Sequence, residues 1–160
     1  MKELITKLKR IDTIDEGSIL LDTCFFISCF KHPKNIRVLE SMANLCMTSF
    51  NIGELLHAEH HLKHELKIRI RKFFHKADNL CILDINVKPG EWDNERSFVA
   101  DVDSELLKHV HDPSDAVLIA AAIKFKSQVM TKDKHHLYTS DLANFLHRYG
   151  VRIEKDFYKD

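Results

Sequence analysis

Apolar residues fall along the chain in short blocks, and the spacing inside each block assigns an element. Residues 18–22 (SILLD) are an apolar run bounded by Gly17 and a carboxylate, the pattern of a buried strand. Similar runs at 45–48 (LCMT), 80–85 (LCILDI) and 128–131 (QVMT) predict three more strands, and 151–153 (VRI) adds an edge strand. Between them the period lengthens to that of helices. MKELITKLKRIDTIDEG reads as a short amphipathic helix, placed at about residues 1–10. TCFFISCFKH is expected to be a helix entering the core, and Pro33 starts another that runs to about Ala43. Residues 51–76 contain no proline and carry Leu55, Leu62, Leu66, Ile70 and Phe73 on one stripe, so one long helix is expected there.

Phe98, Val102, Leu106 and Val110, spaced by four behind a Pro89-Gly90 turn, predict a helix within 88–111. Asp112-Pro113-Ser114-Asp115 is a helix-start signature, with Asp112 at the N-cap and Pro113 at the first helical position, leading into AVLIAAAIKF. Thr139 or Ser140 caps a last helix that stops at Gly150. Strands separated by helices, with no repeat and no linker, predict a single domain over residues 1–160. Its expected form is a three-layer α/β/α sandwich around a mostly parallel sheet.

Composition narrows the function classes. Of 160 residues 44% are apolar, with only 4 Gly and 3 Pro, enough to build a core and too few breakers for a disordered chain. The apolar runs at 19–30 and 116–123 are too short to span a bilayer, and the first contains Asp22. The N-terminus lacks the uninterrupted apolar stretch of a secretory signal, so the cytoplasm is the expected compartment. Lys plus Arg and Asp plus Glu number 24 each, so any preference for nucleic acid has to be local. Gly17, Gly53, Gly90 and Gly150 stand singly, which removes phosphate-binding and dinucleotide-binding glycine loops. Cys24, Cys29, Cys46 and Cys81 form no C-x-x-C pair and sit among apolar neighbours, the pattern of buried reduced thiols.

The carboxylates change the picture most. In parallel sheets the reactive crevice lies beyond the carboxyl ends of the strands. Asp22 ends the first predicted strand, Glu54 lies in the first turn of the helix after the second, Asp115 opens the helix before the fourth, and Asp133 follows that strand by two residues. Four carboxylates within roughly 6 Å of one another would repel by about 3 kcal/mol per pair at an effective dielectric near 20. Six pairs total on the order of 17 kcal/mol, more than the usual net stability of a domain. Such a cluster binds cations or takes up protons. All-oxygen ligation selects Mg²⁺ or Mn²⁺ over zinc, and an ion held this way suits phosphodiester hydrolysis.

LLDT at 20–23, TSFNIGELL at 48–56, DPSDAVLIAAAI at 112–123 and TKDKHHL at 131–137 together resemble the successive motifs of the PIN domain, a family of metal-dependent nucleases. The resemblance runs from about 18 to 154. It implies an endoribonuclease in which Asp22, Glu54, Asp115 and Asp133 match the acidic quartet that holds Mg²⁺ or Mn²⁺, cutting RNA in line to leave a 5'-phosphate. It also implies that Thr23 and Thr131, which accompany the first and last acids, orient carboxylates or the metal-bound water, and that the chain forms a homodimer and pairs with an antitoxin protein. Three departures stand out: Cys24 replaces the small polar residue that follows Asp-Thr in many members, the stretch from Glu54 to Asp115 is longer than in the smallest toxin-like members, and the eleven histidines match no family motif. The longer stretch leaves room for an RNA-processing role.

Plainer roles compete at several of these positions. Capping accounts fully for Asp112, an acid at position 115 favours the helix dipole by itself, and Asp22 and Asp133 also suit turns. His57, His60, His61 and His64 share helical spacing and form either a solvated face or a zinc site; His57 and His61, on the side of Glu54, are also placed to touch substrate phosphate, as are His135 and His136 just after Asp133. Lys63, Lys67, Arg69, Arg71, Lys72 and Lys76, with Lys124, Lys126, Lys132 and Lys134, are a solvated surface or the place where a phosphate backbone is held. Phe73 and Phe74 are core or dimer contacts. The alternative function is a catalytically inactive RNA-binding or scaffold module. An aspartyl phosphatase would require a second Asp where Cys24 stands.

Overall fold

A computed structural model describes residues 1–133 and 137–157. Among the described residues six strands, β1 (Lys9–Ile11), β2 (Ile19–Leu21), β3 (Leu45–Thr48), β4 (Leu80–Leu83), β5 (Gln128–Met130) and β6 (Ile153–Glu154), form one sheet in the order β1-β4-β3-β2-β5-β6. Every neighbouring pair is parallel. The helices are α1 (Lys2–Ile5), α2 (Thr23–Cys29), α3 (Pro33–Ser41), α4 (Ser49–Ala58), α5 (His64–Lys76), α6 (Trp92–Val102), α7 (Leu106–His109), α8 (Pro113–Phe125) and α9 (Ser140–His147). They cover both faces, giving the expected α/β/α sandwich.

Strand side chains alternate between two separate cores, as a period of two requires. Leu20, Cys46, Leu83 and Val129 join the core under α6, α8 and α9. Leu21, Leu45, Met47, Leu80, Ile82 and Met130 join the core under α2, α3 and α5. In the second core the Phe26 ring meets Phe30, Phe73 and Phe74 at 5.0, 5.8 and 5.4 Å, so Phe73 and Phe74 are core residues. Helix α8 is buried along its whole stretch from Ala116 to Ile123, which explains an apolar sequence with no polar face.

Four expectations change. The N-terminal helix stops at Ile5, and residues 9–11 form an edge strand on β4. With Lys9 and Arg10 exposed, three edge residues carry no hydrophobic alternation from which a strand could be read. The long helix expected at 51–76 is two: a 3₁₀ turn at Glu59–His61 is followed by Leu62 and Lys63 in extended conformation, and α5 starts afresh. The break re-aims α5 so that Ile70, Phe73 and Phe74 reach the second core. The helix within 88–111 is likewise divided at Asp103, whose Oδ1 accepts from the Glu105 N–H at 2.7 Å and draws the chain out of the helix. Finally, Cys46 and Cys81 form a disulfide instead of remaining buried thiols, because the β3–β4 register sets them opposite each other. Cys29 is a buried thiol and Cys24 an exposed one.

Candidate active site

Strands β3 and β5 lie on opposite sides of β2, so the chain's outward winding reverses at β2. A crevice opens at such a reversal, beyond the carboxyl ends of the strands. Asp22 leaves β2 there, its N–H still in the ladder to Met130 at 2.9 Å. It occupies the N-cap of α2, yet its carboxylate caps nothing. Instead Oδ2 accepts from the Thr131 hydroxyl at 2.6 Å and from the Cys24 thiol at 2.7 Å. Thr131 is fully buried just past β5, and its Oγ also accepts from the Asp133 N–H at 3.0 Å. One hydroxyl thus joins the first and last acids of the sequence motifs.

Glu54 lies one turn into α4. Its Oε2 accepts from the Thr23 hydroxyl at 2.7 Å and from Asn51 Nδ2 at 3.0 Å. Asn51 is itself buried and held by Thr48, whose hydroxyl donates to Asn51 Oδ1 at 2.6 Å and accepts from the Asn51 N–H at 3.0 Å, capping α4. Burial, opposed by these hydrogen bonds and reinforced by the negative charges of Asp22 and Asp115, pushes the Glu54 carboxyl up to about 7. Asp115 stands in the first turn of α8, while Asp112 caps that helix by accepting from the Ser114 N–H at 2.9 Å. Asp22, Glu54 and Asp115 therefore share one electrostatic environment, and Asp133 is tied to it through its backbone.

The donor set is all oxygen. The hydrogen bonds fall on a single oxygen of Asp22 and a single oxygen of Glu54, and among the described residues nothing bonds Asp22 Oδ1 or Glu54 Oε1. That pattern fits a hard cation such as Mg²⁺ or Mn²⁺. Among the described residues no group of three or more His, Cys, Asp or Glu side chains is already gathered to hold a metal ion. The His57 and His61 rings are 6.4 Å apart and belong to no such group. Lys134, His135 and His136 lie outside the described residues. Of the basic residues, Arg69 donates to the Phe30 carbonyl, Arg71 to Glu59 and Lys132 to Asp156.

Thr131 bridges the first and last acids, donating to the Asp22 carboxylate and accepting from the Asp133 N–H, whereas Thr23 contacts the second acid rather than the first. Asn51 was not foreseen. Its signal lies in the spacing Thr48, Asn51, Glu54: a cap residue with polar side chains three and six positions on, along one helix face. Thr48→Ala removes the cap and takes away the donor to the buried Asn51 Oδ1, while Asn51 Nδ2 keeps its bond to Glu54. It is expected to lower stability by about 1–2 kcal/mol, read from denaturant midpoints.

The sequence pattern of the PIN domain matches residues 19–141, and the chain belongs to the PIN domain family. Among solved structures it is similar in fold to a toxin-antitoxin complex from Klebsiella pneumoniae, at 16% identity and TM-score 0.52 over 77% of this chain and 92% of that one. It is also similar to the DNA-bound VapBC of Salmonella typhimurium, at 18% identity and TM-score 0.52 over 87% and 98% of the two chains. FitAB bound to a DNA fragment gives 16% identity and TM-score 0.54 over 89% and 97%. No curated protein matches the chain.

Proposed function

We propose that this chain is a Mg²⁺- or Mn²⁺-dependent endoribonuclease that hydrolyses RNA phosphodiester bonds at the carboxylate crevice. The observation that carries the reading is Glu54, whose carboxyl is pushed up to about 7 by burial together with the charges of Asp22 and Asp115. A carboxyl in that state is divided between its protonated and ionised forms near neutral pH, and a cation beside it displaces the proton. Asp22, Glu54, Asp115 and Asp133 would hold the ion. When bound, it supplies Lewis acidity and makes water nucleophilic at neutral pH.

The chain's own residues set the geometry. Thr131 fixes the rotation of the Asp22 carboxylate, and Thr23 with Asn51 fixes Glu54, so that one oxygen of each carboxylate is committed to the protein. Membership of the PIN domain family supports nuclease chemistry. The toxin-antitoxin complex among the similar structures supports an antitoxin protein as partner, and we take a homodimer as the working assembly. Among the described residues no helix is long and apolar enough to cross a membrane. We place the reaction in the cytoplasm with its RNA.

One observation favours a second reading, a PIN module that binds RNA without cutting it: the Cys24 thiol takes up Asp22 Oδ2. Incubation of single-stranded RNA with the protein and Mn²⁺ separates the two. Cleavage that stops on addition of chelator is expected, and intact RNA retained by the protein would replace the enzyme with the binding module.

A further inference from the structure

Glu95 is 1% exposed, although its helical neighbours Asp93, Asn94 and Arg96 are all exposed. A carboxylate that deep is tolerated only when it is hydrogen-bonded. Its two oxygens are used separately, in two directions. Oε1 accepts from the Gly90 N–H at 2.8 Å, and Oε2 accepts from the Ser114 hydroxyl at 2.7 Å.

Each partner adjoins a support of the crevice. Ser114 immediately precedes Asp115 at the start of α8. Gly90 follows Pro89, which is seated against α4: a Cβ at Gly53 would meet Pro89 Cγ and Cδ at 3.1 Å, and Gly53 immediately precedes Glu54. The turn reaches this position through a left-handed backbone, φ +87° at Gly90, which aims the Gly90 N–H at Glu95. The Asp112 cap holds α8 only from within its own end, whereas Glu95 ties that end to α6 and to the turn against α4.

We propose that Glu95 is a positioning residue for the crevice, a buried clamp that sets Asp115 against Glu54 through Ser114 and the Pro89-Gly90 turn. The inference rests on the reading of these acids as a cation site. An apolar side chain of similar volume packs α6 on α8 equally well, and exchanging buried charge for such a residue is often neutral for stability. What the carboxylate adds is direction.

The test is calorimetric titration of the full chain with Mn²⁺, alongside Glu95→Met, Glu95→Gln and Ser114→Ala. Glu95→Met keeps the packing and loses both bonds. Its Mn²⁺ affinity is expected to fall about tenfold to a hundredfold, the range for groups that orient metal ligands. Ser114→Ala loses one bond and falls between Glu95→Met and the wild type. Glu95→Gln accepts from Gly90 through its oxygen and donates to Ser114 through its amide, and is expected to bind within about twofold of the wild type.

Hydrogen exchange at the Gly90 amide reports the clamp directly, and accelerates in Glu95→Met. Faster exchange with unchanged Mn²⁺ affinity in both Glu95→Met and Ser114→Ala makes Glu95 purely structural and overturns the proposal. No binding by the wild type would instead defeat the cation reading and the inference together. Should Glu95→Met fail to fold, Ser114→Ala decides the matter by its Mn²⁺ affinity: a fall supports the clamp, and wild-type affinity overturns it.

Discussion

Asp22→Asn is expected to reduce cleavage of single-stranded RNA by at least about a hundredfold, the upper end of what loss of an outer partner of a metal ligand costs. Asparagine retains an oxygen to accept from Thr131, occupies the same volume and is a good N-cap residue, so α2 and its junction with β2 remain. What it loses is the second anionic oxygen, the one that takes no bond within the described protein. The melting temperature is expected to hold or rise, since a like charge near Glu54 has gone. Single-turnover cleavage at saturating Mn²⁺, with circular dichroism to confirm the fold, makes the comparison. Activity within a few fold of wild type would remove Asp22 from the site.

Glu54 gives a second large effect, in stability rather than rate. Its folded carboxyl titrates at about 7 against an ordinary 4.5, so between those values the folded protein binds more protons than the unfolded chain. Stability therefore declines with rising pH: the contribution is complete below about 4.5 and is lost as pH rises through about 7. The amplitude for the metal-free protein is on the order of 3 kcal/mol. Glu54→Gln, whose amide oxygen still accepts from Thr23 and Asn51, is expected to lose this slope and to exceed the wild type at pH 8 in chelator by a similar amount. Added Mn²⁺ reverses the order, raising the melting temperature of wild type alone. A wild-type profile flat from pH 4.5 to 8 would show that burial and the neighbouring acids do not raise the Glu54 carboxyl.

Local chemistry reached some of these features and not others. Strands β2 to β5 were legible because their residues pack against helices on both faces, as at 45–48, where all four positions are buried. The acids were legible because a carboxylate directly after such a run is out of place in a core. Strand β1 was hidden by its edge position, and the break at 59–63 by an apolar stripe that continues in phase from Leu55 before it through Leu62 to Leu66 after it. The Cys46–Cys81 bond depends on the register between β3 and β4, which no local pattern encodes. Asn51 and Glu95 share a different cause. Glu95 is the one buried residue among exposed polar neighbours, and Asn51 is a polar residue between the buried Phe50 and Ile52, so in both cases only tertiary packing shows what the side chain bonds to.

Anomalous diffraction from crystals soaked in Mn²⁺ tests the central claim most directly. The account predicts one or two peaks between the carboxyl ends of β2 and β5, with oxygens of Asp22, Glu54 and Asp115 at about 2.0–2.3 Å, ordinary reach for such an ion. Peaks only elsewhere, or Glu54 still bonded as a neutral acid in a soaked crystal at pH 8, would contradict it.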